Sequence, residues 1–380
     1  MKGHNSKAQL NIAMLGHKRI PSREGGIEVV IEELSTRMVE KGHSVICYNR
    51  KGHNVAGAEF DCEKMSEFMG VKLVDVFTIK KRGLAAMTAS VSASLRAAFG
   101  KYDAVHIHAE GPAFMCWLPK LFGKRVIVTV HGLDHQRAKW GKFASAYIMM
   151  GEKNAVRFAD DIIVLSQGVK DYFKNTYNKD TQFIPNGVNN AKMRPADQIT
   201  EKWGLVKDNY ILYLGRIVPE KGERYLIEAF KQVKTDKKLV IAGGSSDCQA
   251  FMDELKEMVK GDDRIIFTGF VQGRLKHELY SNPYIYTLPS DLEGMPLSLL
   301  EGMSYGNCCV TSDIPECAEV VEDKAVIFKK SSVEDLRSKL QILCDHPEIV
   351  DGYKSKAESF IRYKYNWDHV VEKTIELYRG

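Results

Sequence analysis

What the 380-residue chain lacks narrows its class before any motif is read. No run approaches the roughly 18–20 consecutive apolar residues needed to span a bilayer. The opening segment, Met1 to Gln9, is polar and has none of the apolar core of a secretory signal. Eight cysteines form no Cys-x-x-Cys pair and sit mostly among apolar residues. In a chain of this length they predict reduced core thiols and a cytoplasmic protein, not a disulfide frame. There is no Gly-x-Gly-x-x-Gly fingerprint and no Gly-x4-Gly-Lys loop, which argues against nicotinamide redox chemistry and simple P-loop hydrolysis. Asp-x-Asp is missing too, and with it the usual carboxylate pair that holds Mg²⁺ or Mn²⁺ to a nucleotide diphosphate. No repeat or low-complexity tract interrupts the chain.

What is present is ordinary globular material, 44% hydrophobic and 27% charged, with a length that suggests two domains. The formal charge of +5 hides an asymmetry. Residues 1–185 carry 27 basic and 18 acidic side chains, whereas residues 186–380 carry 27 and 31. A basic first half suits nucleic acid, an anionic membrane surface or a phosphorylated substrate. Short β-branched runs alternate with helix-length segments throughout. Strands are expected at Leu10–Gly16, Ser44–Asn49, Val71–Ile79, Ala104–His108, Val126–His131, Ile162–Ser166 and Gln182–Pro185. A second set follows at Tyr210–Gly215, Leu239–Gly243, Ile265–Gly269, Tyr284–Leu288, Cys308–Thr311 and Ala325–Phe328. Near-continuous apolar strands separated by helices predict parallel sheets covered on both faces. The polar stretch Asn186–Trp203 breaks this rhythm and marks the boundary, so the chain reads as two Rossmann-like α/β domains, residues 1–190 and 191–363.

In such sheets ligands bind beyond the carboxyl ends of strands. After the first strand, Gly25-Gly26 precedes a helical pattern and would let backbone approach a phosphate or sugar. His106 and His108 alternate on one strand and point to the same side, where a packed or hydrogen-bonded pair is the expected reading. His131 ends the strand RVIVTVHG, ahead of a loop with Asp134, His135, Arg137 and Lys139. Arg216 and Lys221 follow strand Tyr210–Gly215, where a diphosphate would accept their donors. The segment SDLEGMPLSLLEGMSYG is the most specific. Glu293 lies in its loop, Pro296 near a helix start and Glu301 about one turn further on. The amides of Gly294 and Met295 would meet phosphate oxygens there, and the carboxylates would accept from hydroxyls.

Taken together, Glu293-x7-Glu301, the Gly215-Arg216…Glu220-Lys221-Gly222 turn, Gly25-Gly26 and His131-Gly132 resemble the retaining family 4 glycosyltransferases of GT-B fold. The resemblance spans essentially the whole chain. VHGLDHQRAKWGKFASAYI and FIPNGV look like the bacterial cell-surface polysaccharide branch, including rhamnosyltransferase-like members. The resemblance implies two Rossmann-like domains facing a central cleft, acceptor side first and nucleotide-sugar side second. It also implies a last helix, about residues 364–380, that packs back on the first domain. Arg216 and Lys221 would bind the donor diphosphate and stabilise it as leaving group. Glu301 would hold the ribose hydroxyls, and Glu293 the donor sugar, with Gly294 and Met295 near the phosphates. Gly25 and Gly26 would close the other side of the donor, and His131 would sit against the transferred sugar. Asp134, Arg137 and Lys139 are the acceptor-side candidates. No cofactor and no metal are expected: two cations and a helix N-terminus neutralise the departing phosphate.

The implied reaction moves a hexosyl or deoxyhexosyl group from a UDP- or dTDP-sugar to a glycan or lipid-diphosphate-linked acceptor, at the cytoplasmic face of the membrane. Lys80-Lys81-Arg82 with LAAMTASVSASLRAAFGKY, and Trp117 to Arg125, place basic residues beside apolar ones and would rest on anionic lipid. A helix whose small residues pack on the sheet explains the first segment equally well. Nucleic acid is not expected, because aromatics do not interleave with the basic residues. Two further readings stand beside transfer: a GT-B-fold sugar-nucleotide epimerase, and a non-catalytic nucleotide-sugar-binding protein.

Overall fold

The computed structural model describes residues 9–22, 25–54, 57–81, 83–136, 141–244 and 249–380. They divide into two compact units. One takes the chain up to Asn54, Glu59–Asn186 and Trp367–Gly380, and the other is built on Gly187–Asn366. Among the described residues no helix is long and apolar enough to cross a membrane.

The first unit holds β1 (Asn11–Leu15), β2 (Ser44–Arg50), β3 (Glu67–Phe68), β4 (Val71–Val76), β5 (Ala104–His108), β6 (Arg125–Val130), β7 (Asp161–Val164) and β8 (Gln182–Phe183). They form one sheet in the order β3-β4-β2-β1-β5-β6-β7-β8. Ile12 pairs with Val45 on one side and with Ala104 on the other, both in parallel register. The short β3 is the exception, antiparallel to β4. It escapes a search for apolar runs because it is two residues long. Every residue of β5 is buried, as expected of a strand covered on both faces. The final helix Trp367–Arg379 belongs to this unit. It buries Trp367, Val371, Ile375 and Tyr378, and the Tyr378 hydroxyl lies 2.6 Å from His106 Nδ1.

The second unit holds β9 (Tyr210–Leu214), β10 (Lys238–Ala242), β11 (Ile265–Gly269), β12 (Ile285–Leu288), β13 (Cys309–Ser312) and β14 (Val326–Phe328). All are parallel, in the order β11-β10-β9-β12-β13-β14. The polar stretch expected to link the domains is structured. Residues 198–203 form a helix whose Ile199 is buried in this unit's core. Glu278 accepts the amides of Asp197 and Ile199 at 3.0 and 3.2 Å, satisfying helix-start donors that the polar sequence gives no hint of. The seven described cysteines are all free, and five of them are buried.

Candidate active site

Strand order locates the site in the second unit. β10 and β11 run outward from β9 in one direction, and β13 and β14 from β12 in the other, so the order reverses between β9 and β12. A crevice opens outside the carboxyl ends at such a reversal. The segments leaving these two strands carry Arg216, Lys221 and Glu293.

Lys221 closes a 3-10 turn, Pro219–Lys221, and Gly222 follows with φ 74°. A Cβ at Gly222 would stand 2.0 Å from the Pro289 carbonyl oxygen, so only glycine lets the turn lie on the backbone leaving β12. The Asp291 amide donates to the Glu220 carbonyl at 2.9 Å, and the Tyr225 hydroxyl to Asp291 Oδ2 at 2.9 Å. Thus clamped, Lys221 Nζ lies 2.5 Å from Glu293 Oε1, which also accepts from Ser290 Oγ at 2.6 Å. The two side chains are only 13% and 7% exposed, so the pair is held largely away from water. The Arg216 guanidinium is different: it makes no hydrogen bond or ion pair with any described residue. Gly294 and Met295 lead, through Pro296, into the helix Leu297–Ser304. In that helix Glu301 is paired to Lys276 at 2.8 Å, a partner that sequence reading did not find.

Beneath this cluster lies a second group that was missed. The Tyr213 hydroxyl is 2.8 Å from the Arg216 carbonyl oxygen and 2.7 Å from Glu223 Oε1. Glu223 is fully buried and its Oε2 has no hydrogen-bond partner among the described residues. Burial pushes its carboxyl up to about 8, against the lowering pull of Tyr213 and Lys221. Neutral Glu223 can donate to Tyr213, which in turn donates to the Arg216 carbonyl, so each hydrogen is used once. Tyr213 lies within an expected strand and Glu223 starts the helix that follows the turn; only the fold brings them together beside the Arg216 carbonyl.

In the first unit the order reverses between β1 and β5. A small pocket there is lined by Gly16, His17, Tyr48, Arg50, Ala89 and Pro112 among others. His106 and His108 are indeed a packed pair, ring centroids 4.1 Å apart. His106 Nε2 lies 2.7 Å from Thr129 Oγ1, and burial lowers this ring to about 3. His108 Nδ1 is 3.0 Å from His131 Nε2, and burial likewise drives His108 well down. Because His108 Nε2 is buried with no partner among the described residues, the less costly tautomer carries the proton on Nδ1 and donates it to His131. His108 therefore orients His131, a role that alternation along a strand does not reveal. Gly25 is extended, at φ −167°, and precedes the helix Gly26–Glu40. The first turn of that helix already carries Glu28, which accepts the Lys18 amide at 2.9 Å. Asp134 opens a 3-10 turn and donates its amide to Glu110 Oε2 at 2.8 Å. Arg137 and Lys139 lie outside the described residues.

Residues 24–192 match the family described as Glycosyltransferase Family 4, and residues 196–367 the family described as Glycosyl transferases group 1. The chain is a glycosyltransferase, its first half matching one of these families and its second half the other. The transferase is 22% identical to an uncharacterised glycosyltransferase of Methanocaldococcus jannaschii, over 97% of its own length and 98% of that protein. It is 25% identical to the O-antigen chain mannosyltransferase RfbU of Salmonella typhimurium, over 64% of this chain and 67% of that one. Anabaena HepE, solved in complex with UDP and glucose, superposes with a TM-score of 0.79 at 14% identity, covering 97% and 99% of the two chains. That likeness fixes the fold of the transferase as GT-B.

Proposed function

We infer that the enzyme is a retaining, metal-independent hexosyl- or deoxyhexosyltransferase. It moves sugar from a nucleotide-diphosphate donor, UDP- or dTDP-linked, to a hydroxyl of a glycan or lipid-linked glycan in cell-surface polysaccharide synthesis. One observation carries this reading: Arg216, whose guanidinium bonds to no described residue, leaves β9 in the same segment as Lys221, and Lys221 pairs with Glu293 from the segment leaving β12, where the strand order of the second sheet reverses. Cleaving a glycosyl diphosphate needs negative charge stabilised on the departing phosphate. Arg216 supplies a planar fork to that diphosphate, Lys221 a point charge, and the amides of Gly294 and Met295 the start of a helix. No divalent ion is then required at the phosphates. Glu301, steadied by Lys276, holds the ribose. Glu293 meets the donor sugar, and His131, oriented by His108, is assigned to the transferred group. Gly25 and Gly26 supply backbone without side chains on the acceptor-binding unit, where Asp134, Arg137 and Lys139 are the polar candidates. Relatives that bear on the biology include the O-antigen mannosyltransferase, and the Anabaena protein supports a uridine diphosphate donor.

Incubating the enzyme with a panel of sugar nucleotides, with and without glycan and lipid-linked acceptors, tests the reaction class. Transfer predicts a glycosylated product and a released nucleoside diphosphate that both depend on acceptor. A converted sugar nucleotide without acceptor would make the protein an epimerase, and unchanged donor throughout would make it a binding protein.

A peripheral site on the inner face of the plasma membrane belongs to the same reading. The helix Leu84–Phe99 turns Ala89, Ala93 and Ala97 to the core and leaves Leu95 and Phe99 outside. Phe99 stacks edge-on against Phe122 at 4.6 Å, and Leu121 is 74% exposed beside them. Arg96 and Lys101 are exposed and flank Phe99 in the chain. Basic residues around exposed aromatics suit an anionic lipid interface. Flotation with phosphatidylserine-containing vesicles is expected to carry the wild-type protein in low salt. Phe99→Ser/Leu121→Ser should stay at the bottom of the gradient. Equal recoveries of the two proteins would remove the membrane from the account.

A further inference from the structure

Glu110, His135 and Glu152, all in the first unit, form a cluster that the glycosyl-transfer reading does not use. Glu110 begins the short helix that follows β5, His135 sits in the 3-10 turn after β6, and Glu152 lies within the helix Lys142–Phe158. Both carboxylates are fully buried. They are brought together by Gly151: a Cβ there would lie 1.9 Å from the Glu110 carbonyl oxygen, so the long helix can approach only with glycine at that point.

The hydrogen bonding of the cluster is one-sided. Glu110 spends Oε2 on the Asp134 amide at 2.8 Å. Glu152 spends Oε1 on the hydroxyls of Tyr172, at 2.9 Å, and Tyr177. The remaining atoms, Glu110 Oε1, Glu152 Oε2 and His135 Nδ1, are buried, and none is satisfied by a donor or acceptor of well-formed geometry among the described residues. All three lie within 4.8 Å of one another. His135 Nδ1 is 3.5 Å from Glu152 Oε2 and 3.8 Å from Glu110 Oε1. Ligands about 2.0–2.1 Å from a tetrahedral ion stand roughly 3.4 Å apart, so the two distances from His135 need shifts of only a few tenths of an ångström to fit, and the three atoms would fill three of the four positions, leaving one for water. Carboxylates whose outer oxygens are held by an amide and two phenols, with their inner oxygens converging on an imidazole nitrogen, have the outer-shell support found at metal centres.

We propose that Glu110 Oε1, Glu152 Oε2 and His135 Nδ1 bind one divalent first-row transition ion of the zinc type, a structural site separate from the donor diphosphate. The imidazole nitrogen and the small number of oxygens favour such an ion over Mg²⁺ or Ca²⁺, which take six or more ligands, mostly oxygen. Two carboxylates and a neutral ring balance a 2+ charge, which removes the cost of burying two anions side by side. The ion would tie the turn after β6, which begins at His131 and carries Asp134, to the two neighbouring helices. The rival occupant is a proton shared between Glu110 and Glu152.

The test uses the full-length chain, purified without a metal-affinity step, stripped by chelator and dialysed against micromolar Zn²⁺. Elemental analysis is expected to give one equivalent of zinc per chain. Glu152→Gln and His135→Ala should each retain less than a tenth of that. Zinc should raise the melting temperature of the stripped wild-type protein and leave that of His135→Ala unmoved. Co²⁺ in place of zinc should give an intense visible band, absent in His135→Ala, which reads coordination directly even where a variant is destabilised. Less than a tenth of an equivalent in the wild-type protein, or equal binding by wild type and both variants, would overturn the site and leave the proton-shared pair.

Discussion

Arg216→Ala is expected to lower kcat/KM by a factor of about 10²–10³, the range for removing one preorganised donor from a developing negative charge. The fold should be untouched, because the guanidinium makes no bond to any described residue. Its only described tie is the backbone carbonyl that faces Tyr213, which alanine retains. Lys221→Ala should lose activity on the same scale, but it is the poorer test. It would strand Glu293, whose side chain is 7% exposed, without its counter-ion. Removing one partner of a buried pair costs on the order of 3–5 kcal/mol. Steady-state kinetics beside far-UV circular dichroism and melting curves separate the two effects. Wild-type turnover in Arg216→Ala would remove this residue from the diphosphate.

The second large effect is on stability. Burial pushes the Glu223 carboxyl up to about 8 in the folded protein, from an ordinary value of about 4.5. Below about 4.5 the carboxyl is protonated in both folded and unfolded chains, and the stabilising contribution of the neutral group is complete. Between about 4.5 and 8 the unfolded chain gives up the proton while the folded one keeps it, so stability falls as pH rises. Above 8 the loss is full, about 4–5 kcal/mol by linkage. Glu223→Gln keeps the shape and can still donate to Tyr213, but does not titrate. Its melting temperature should match the wild type near pH 5 and exceed it by roughly 10 °C at pH 9. Parallel melting curves for the two proteins across that range would contradict a buried, neutral Glu223. The same ionisation draws the Tyr213 hydroxyl from Arg216 to Glu223, so the alkaline limb also loosens the backbone that carries the guanidinium.

Much of the fold was legible because buried parallel strands leave a local mark. Every apolar run read as a strand is one, to within a few residues, and Ala104–His108 and Ile265–Gly269 coincide with β5 and β11. The two-residue β3 and the helix at residues 198–203 were not visible, since one is too short for a pattern and the other is anchored by a single buried isoleucine. Arg216, Lys221 and Glu293 could be singled out as polar residues at the ends of apolar strands. That Lys221 and Glu293 pair was not readable across 72 residues of separation. It follows from β9 and β12 being neighbours and from Gly222 resting on Pro289. Glu223 and Lys276, and the bond of His108 to His131, escaped for the same reason: each acts through a partner brought by another element. Glu110 and Glu152 carry no sequence signal at all, being single acids 42 positions apart in unremarkable helices.

The most direct measurement of the central claim, a nucleoside diphosphate held by Arg216 and Lys221, is thermal stabilisation against a panel of nucleoside diphosphates and sugar nucleotides. A ligand that binds only the folded state raises the melting temperature in proportion to its affinity. UDP or dTDP and their sugars should stabilise the wild-type enzyme in the absence of divalent metal, selectively over other bases, and Arg216→Ala should lose most of that shift. No shift with any nucleotide, or the same shift in wild type and Arg216→Ala, would contradict the account.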